Sequence, residues 1–135
     1  MALGGKKSKG MTENEISKII VNTAYQVHTQ LGPGLLESVY EEIMYYELPY
    51  QGLNVVRQKA VPVIWNELKM EMGFRADIIV EDKVIIELKS VETIAPVHHK
   101  QLLTYLKLTG IKLGLLINFN VPLIKLRITR IVNNL

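Results

Sequence analysis

Two carboxylates and a lysine stand close together in the most apolar part of the sequence. Asp77 lies in one apolar segment, and Glu87 and Lys89 end the next. The polar turn Glu81-Asp82-Lys83 between them predicts an antiparallel hairpin that brings Asp77 beside Glu87. Mg²⁺ binds a few carboxylates together with waters and phosphate oxygens, and a lysine beside it orients water and stabilises charge developing on a phosphate. The three residues therefore indicate metal-dependent phosphodiester hydrolysis.

The same residues also have a simple structural interpretation. Side chains alternate between the faces of a strand, so Glu87 and Lys89 share one face with Ile85. Opposite charges on one face are typical of a solvated sheet surface with a weak ion pair. Both strands are otherwise strongly apolar, however, and charges in such a setting are costly unless they are paired or bound to a cation. The pattern leaves both interpretations open, and the apolar setting favours a site.

Two helices are predicted before these strands. Apolar residues at helical spacing predict the first from about Glu13 to Gln30, with Thr12 as its N-cap and Glu15 completing a capping box. Gly32-Pro33-Gly34 breaks this pattern. The second helix is predicted from about Leu35 to Leu48. Its predicted apolar stripe is Leu36, Val39, Tyr40, Ile43 and Met44.

The rest of the chain indicates strands around a third helix. This helix is predicted from about Pro96 to Leu108, with Gly110 closing its C-terminus. Strands are predicted at 54–59, 61–65, 68–72 continuing into 74–80, 84–89, 112–118 and 124–128. The order α-α-β-β-β-β-α-β-β predicts an α/β fold with a mixed sheet and helices packed on it. We expect one domain over residues 12–135 and a flexible basic tail at residues 1–11.

The composition excludes several classes of function. The 135 residues include no cysteine, which excludes disulfides and thiolate chemistry and agrees with a reducing, cytoplasmic location. No apolar run approaches the roughly 20 residues of a membrane helix, so no membrane partner is expected. The net charge of +3 is no argument for nucleic-acid binding, because three lysines lie in the tail and the remaining 13 basic residues equal the 13 acidic ones. Motifs for nucleotide-binding loops, HExxH zinc sites and GxSxG hydrolases are absent.

The sequence around the three charged residues resembles a known group of enzymes. Asp77 followed by Glu87-Leu88-Lys89 matches the D…(D/E)-x-K motif of the PD-(D/E)XK, or restriction-endonuclease-like, nuclease superfamily. Ala76 stands where this motif usually has proline. The resemblance implies a restriction-endonuclease-like core and a nuclease acting on DNA.

A wider resemblance covers nearly the whole chain from about Glu13 onward. Four segments, in order, are similar to the small bacterial and archaeal family named for its GxxExxxR motif. These segments are LGPGLLESVYEE, GFRADIIVEDKVIIELKS, HHKQLLTYLKLTG and KLGLLINF. Gly34 and Glu37 match the motif, whereas Glu41 stands at its arginine position. The role of that arginine in relatives therefore does not carry over.

The resemblance also implies a cofactor and roles for particular residues. The cofactor is Mg²⁺, with Mn²⁺ as a substitute. Asp77 and Glu87 would hold the metal, assisted by Glu37 and the backbone carbonyl of Leu88, and Lys89 would position the attacking water. Without the family, Glu37 is equally well explained as a first-turn carboxylate that the helix dipole favours.

Gln101 and Tyr105 lie four residues apart on one face of the third helix. They form an ordinary helix pair, but the spacing resembles the Q-x-x-x-Y motif of exonuclease-like branches, which implies contacts with phosphate or a DNA end. The alternative function is a catalytically inactive domain that binds nucleic acid or protein. Because a domain of this size has little surface for substrate selection, a partner subunit in a homodimer is a further expectation.

Overall fold

The computed structural model describes residues 10–123 and 127–135. Its helices are α1 (Glu13–Leu31), α2 (Glu37–Tyr50) and α3 (Pro96–Thr109). Its strands are β1 (Val55–Trp65), β2 (Leu68–Val80), β3 (Val84–Lys89), β4 (Leu113–Asn118) and β5 (Ile128–Val132). Two helices precede three strands, and α3 separates these from the last two. The prediction of an α/β fold is confirmed.

One mixed sheet holds these strands in the order β1-β2-β3-β4-β5. Neighbouring strands are antiparallel except β3 and β4, which are parallel and are connected through α3, as a parallel pair requires. α1 and α2 pack on one face of the sheet and α3 packs on the other. β3 and β4 are consequently buried on both faces. The predicted mixed sheet flanked by helices is therefore confirmed.

The structure has one long first strand where the sequence predicted two short ones. The predicted break falls at Ala60, which pairs regularly with Arg75 of β2. A register shift between Val61 and Val63 accommodates Pro62 instead. Because β1 is an edge strand, a residue without a backbone N–H is tolerated at this bulge. The chain therefore contains one strand fewer before α3 than predicted.

The end of the chain differs from prediction as well. Of the predicted strand 124–128, residues 124–126 lie outside the described residues, and β5 begins only at Ile128. β5 pairs with one neighbour, β4, and its residues are at most half-buried. The predicted strand therefore shares only Ile128 with β5.

The helices follow the predictions more closely. The capping box of α1 is present, with the Thr12 N–H bonded to Glu15 Oε1 at 2.9 Å and the Glu15 N–H bonded to Thr12 Oγ1 at 3.2 Å. α2 begins two residues later than predicted, and its predicted stripe was wrong at Leu36 and Val39, which are exposed. The buried face of α2 consists of Tyr40, Glu41, Met44 and Leu48.

The remaining expectations concern the N-terminal tail, the number of domains and membrane helices. The predicted basic tail falls mostly on residues 1–9, which lie outside the described residues, and a single domain over 12–135 stays a prediction. Within residues 10–123 and 127–135, no helix combines the length and the apolar character needed to cross a membrane.

Candidate active site

Asp77 and Glu87 meet where the backbone ladder between β2 and β3 ends. The last paired residues are Ile78 and Ile86. Beyond them, Glu87 Oε2 accepts a hydrogen bond from the Asp77 backbone N–H at 2.9 Å, and Asp77 Oδ2 accepts one from the Leu88 N–H at 2.9 Å. A backbone amide of the neighbouring strand thus fixes each carboxylate. An amide of β2 fixes Glu87, and an amide of β3 fixes Asp77. The structure brings together the two carboxylates that the sequence pattern had placed side by side.

The electrostatics of this pair are dominated by burial. Glu87 is only 7% exposed, and burial, followed by the negative charge of Asp77, raises the pKa of Glu87 to about 8. Burial also raises the pKa of Asp77, while the Leu88 N–H and the Lys89 charge lower it. Because Lys89 lowers the pKa of both carboxyl groups, its ammonium acts on the pair as a whole. With the pKa of Glu87 at about 8, the pair gains its second negative charge only as the pH rises through that value.

The end of β3 that carries Lys89 is held on two sides. Lys89 pairs with Asn118 of β4, and its carbonyl accepts a hydrogen bond from the backbone N–H that follows Asn118, at 2.9 Å. The fully buried Asn118 side chain accepts from the Val91 N–H at 3.1 Å and donates to the Val91 carbonyl at 2.8 Å. Ser90 Oγ donates to the Leu35 carbonyl at 2.6 Å. These bonds tie the strand end to the end of β4 on one side and to the loop that precedes α2 on the other.

Tyr40 holds that same loop from inside the core. Its ring is fully buried and stacks on Phe119 with centroids 4.2 Å apart. Its hydroxyl donates to the Gly32 carbonyl at 2.6 Å and accepts from the Leu35 N–H at 3.3 Å. The loop in turn sets the start of α2 and the position of Glu37. Sequence reasoning counted Tyr40 only as part of an apolar stripe and missed this function.

Glu37, the predicted accessory ligand, lies at the first position of α2 and is exposed. Its negative charge is the smallest contribution to the raised pKa of Glu87. The side chain therefore acts on the site electrostatically from the solvent side. Its role as a metal ligand stays a prediction.

α3 brings Tyr105 to the carboxylates. The Tyr105 ring stacks on Phe74 of β2, with centroids 3.7 Å apart and an angle of 8° between the planes. Burial, followed by the charges of Glu87 and Asp77, raises the pKa of the Tyr105 hydroxyl, and a hydrogen bond with Gln101 lowers it. Gln101 itself is exposed. Both predicted substrate-binding residues thus lie on the side of α3 that borders the site.

Three further residues at the site escaped sequence reasoning. Glu41 is only 8% exposed, and its Oε1 accepts from Gln58 Nε2 at 2.7 Å while its Oε2 accepts from Arg57 Nε at 3.2 Å. Burial, followed by the charge of Asp77, raises the pKa of Glu41. Gln58 also lowers the pKa of Asp77 through a side-chain hydrogen bond. The one signal in the sequence was the presence of Glu41 at the arginine position of the GxxExxxR motif.

The donor atoms at this site fit a hard divalent cation. In the described part of the chain, no three His, Asp or Glu side chains form a group that could hold a metal, and Mg²⁺ commonly takes only one or two carboxylates together with waters and substrate phosphates. The bonds to backbone amides use Asp77 Oδ2 and Glu87 Oε2. Asp77 Oδ1 and Glu87 Oε1 take no part in these two bonds. The Leu88 carbonyl faces the β2 side together with the Leu88 N–H, because both groups of one residue project from the same strand edge.

Comparison with known proteins agrees with this geometry. The sequence profile of the PD-(D/E)XK nuclease superfamily matches residues 14–131, a range that includes Asp77, Glu87 and Lys89. Searches of curated proteins and of solved structures found no match. The five-stranded mixed sheet with helices on both faces is consistent with the restriction-endonuclease-like core. The chain belongs to the PD-(D/E)XK nuclease superfamily.

Proposed function

We propose that this chain is a metal-dependent nuclease that hydrolyses phosphodiester bonds of DNA, using Mg²⁺ or, as a substitute, Mn²⁺. The observation that carries the proposal is the buried carboxylate pair, Asp77 and Glu87, anchored on backbone amides with Lys89 beside it. Two carboxylates in a buried setting repel each other and are costly to ionise. A divalent cation offsets that cost. Superfamily membership supports the same chemistry.

The proposed roles follow from the position of each group. A bound divalent cation supplies Lewis-acid polarisation of the phosphate and a more acidic water. Asp77 and Glu87 hold the cation, with Glu37 and the Leu88 carbonyl as further ligands. The Lys89 ammonium orients the attacking water and stabilises the negative charge that develops on the phosphate oxygens.

Tyr105 and Gln101 are the proposed substrate contacts. The stack on Phe74 fixes the Tyr105 ring, and its hydroxyl is close enough to Glu87 and Asp77 for their charges to raise its pKa. A phenol and a primary amide both donate hydrogen bonds to phosphate oxygens. These two side chains therefore bind the DNA backbone next to the reacting phosphate.

Membership of the GxxExxxR family is part of the proposal. Gly34 and Glu37 support it, and Glu41 departs from it by placing a carboxylate at the arginine position. Arg57 of β1 forms an ion pair with Glu41 at 3.2 Å, so β1 supplies a guanidinium beside the position at which the motif has its arginine. A cytoplasmic location and a homodimer stay predictions.

Cleavage assays with a matched pair of variants test the proposal. Single- and double-stranded DNA and RNA are incubated with the wild type, Asp77→Asn or Asp82→Asn, with Mg²⁺, Mn²⁺ or EDTA. Asp82 is exposed in the β2–β3 turn, so its variant controls for the loss of one carboxylate from the same hairpin. We expect metal-dependent cleavage of DNA that falls at least about 100-fold in Asp77→Asn and persists in Asp82→Asn.

The other outcomes are equally informative. Activity that survives Asp77→Asn would show that a contaminant or another site is responsible. Binding of nucleic acid by the wild type without cleavage under any metal condition would support the alternative, a catalytically inactive binding domain. Cleavage confined to RNA would refute the proposed substrate and leave the proposed chemistry in place.

A further inference from the structure

Gln58 adopts an unusual backbone conformation in the middle of an otherwise extended strand. Its φ is 51°, in the left-handed region, although it is flanked by residues of β1 that pair regularly with β2. Arg57 pairs with Ile78 and Lys59 with Ala76, so Gln58 lies between these two pairs, on the part of β1 that faces Asp77. Residues other than glycine, asparagine and aspartate rarely adopt this conformation, and such outliers persist where the surrounding structure requires them. The unusual backbone thus lies opposite one of the proposed metal ligands.

The Gln58 side chain links two carboxylates. Its Nε2 donates to Glu41 Oε1 at 2.7 Å, and its amide also acts on Asp77, whose pKa it lowers. A primary amide carries two N–H groups, so one Nε2 atom can serve two acceptors. Asp77 thus accepts from the Leu88 N–H on the β3 side and has the Gln58 amide on the β1 side.

Glu41 in turn is fixed by its own partners. It is almost fully buried on α2, and Arg57 Nε donates to its second carboxylate oxygen at 3.2 Å. Arg57 is anchored further by Glu42 of the same helix, at 2.8 Å. The buried carboxylate therefore presents Oε1 to Gln58 in one orientation, and the amide of Gln58 is oriented before any ligand binds.

We propose that Gln58 and Glu41 are positioning residues for Asp77, and that through them α2 and β1 hold this carboxylate in the orientation needed to bind a divalent cation. The inference rests on the proposed function, because it takes Asp77 as a metal ligand. Groups that orient a metal ligand typically change metal affinity by about 10- to 100-fold when they are removed.

Metal binding by a matched pair of glycine variants tests the inference. Gln58→Gly removes the amide and suits the left-handed backbone, and Asn66→Gly makes the equivalent change at φ 55° in the β1–β2 turn, away from the site. Binding of Mn²⁺ to the full chain is measured by calorimetry, alongside the midpoint of thermal unfolding. We expect the Mn²⁺ dissociation constant to rise about 10- to 100-fold in Gln58→Gly and to stay unchanged in Asn66→Gly.

Three further measurements separate positioning from a general structural defect. Gln58→Asn keeps a residue that tolerates the left-handed region but shortens the amide, and we expect it also to weaken Mn²⁺ binding while leaving the thermal midpoint in place. Glu41→Gln should weaken Mn²⁺ binding in the wild-type background and add little in the Gln58→Gly background, because both residues act through one hydrogen bond. In cleavage assays, high Mn²⁺ should restore the rate of Gln58→Gly.

The results that overturn the inference are specific. Wild-type affinity for Mn²⁺ in both Gln58 variants would refute it, as would an equal loss of affinity in Asn66→Gly. Fully additive effects of Glu41→Gln and Gln58→Gly would refute the link between the two residues. A wild-type chain that binds no Mn²⁺, or whose binding survives Asp77→Asn, would instead refute the metal site and with it the proposed function.

Discussion

We predict that Glu87→Gln stabilises the metal-free protein above neutral pH. Burial, with a further contribution from Asp77, raises the pKa of Glu87 to about 8 from an ordinary value of 4.5. Because the pKa of Glu87 is raised in the folded state, the contribution of this carboxyl group to stability is complete below about pH 4.5. It is lost as the pH rises through about 8. At roughly 1.4 kcal/mol for each pKa unit, the ionised Glu87 costs on the order of 5 kcal/mol above pH 8. Glutamine removes this charge and keeps an oxygen that accepts from the Asp77 N–H.

Urea unfolding followed by circular dichroism, in EDTA at pH 5 and pH 9, measures this effect. We expect similar free energies of unfolding for the wild type and Glu87→Gln at pH 5, and a gain of about 2 to 4 kcal/mol for the variant at pH 9. Glu71 is an exposed carboxylate on β2, and Glu71→Gln should stay within about 0.5 kcal/mol of the wild type at both pH values.

Addition of Mg²⁺ extends the same test. A cation that binds only the folded state stabilises it by mass action, so Mg²⁺ should raise the stability of the wild type at pH 9 and leave Glu87→Gln nearly unchanged. The reasoning is refuted if Glu87→Gln is the less stable protein at pH 9, or if the difference between the two proteins is the same at both pH values.

Three further substitutions probe the elements around the site. Tyr40→Phe keeps the aromatic stack but loses the hydroxyl bond to Gly32, and should lower the free energy of unfolding by about 1 to 2 kcal/mol in urea titrations. Gly114→Ala would place a Cβ 2.9–3.0 Å from the Leu102 side chain, and should cost about 1 to 3 kcal/mol in the same assay; an unchanged midpoint would contradict the close packing of α3 on β4. Tyr105→Phe keeps its stack and loses its hydroxyl, and should raise KM for DNA several-fold with an unchanged thermal midpoint, whereas an unchanged KM would exclude it from substrate binding.

The pairing of Asp77 with Glu87 was accessible from the sequence because it is local. Ten residues separate them, and the polar turn between two apolar runs predicts their hairpin. The alternation of side chains along β3 then places Lys89 on the same face as Glu87. Short-range rules therefore suffice for this part of the site.

The residues around Glu41 were not accessible in the same way. Gln58 and Arg57 reach Glu41 across 17 and 16 residues, through the packing of α2 against β1, which no local pattern specifies. The helix phase was also predicted with Leu36 on the buried face, whereas the structure buries Glu41 and exposes Leu36. Burial of a carboxylate contradicts ordinary hydrophobic patterning, and such departures are expected at functional sites.

The left-handed backbone of Gln58 and the continuity of β1 share a physical origin. Both depend on pairing with β2, which holds an irregular edge strand in register despite Gln58 and Pro62. Gln58 and Pro62 both lie inside predicted strands, and the predicted break falls at Ala60, which pairs regularly with Arg75. The positions of the irregularities depend on pairing between strands, which local patterns do not specify.

The rate of DNA cleavage by Lys89→Met tests most directly whether Asp77, Glu87 and Lys89 form a catalytic site. Methionine keeps most of the length of the side chain and removes its charge, and Lys107→Met, an exposed substitution on α3, is the matched control. Under single-turnover conditions with saturating Mg²⁺, the rate of Lys89→Met should fall about 100- to 1,000-fold while Lys107→Met cleaves at the wild-type rate. Cleavage by Lys89→Met at the wild-type rate would contradict the proposed role of Lys89 and the catalytic site built around it.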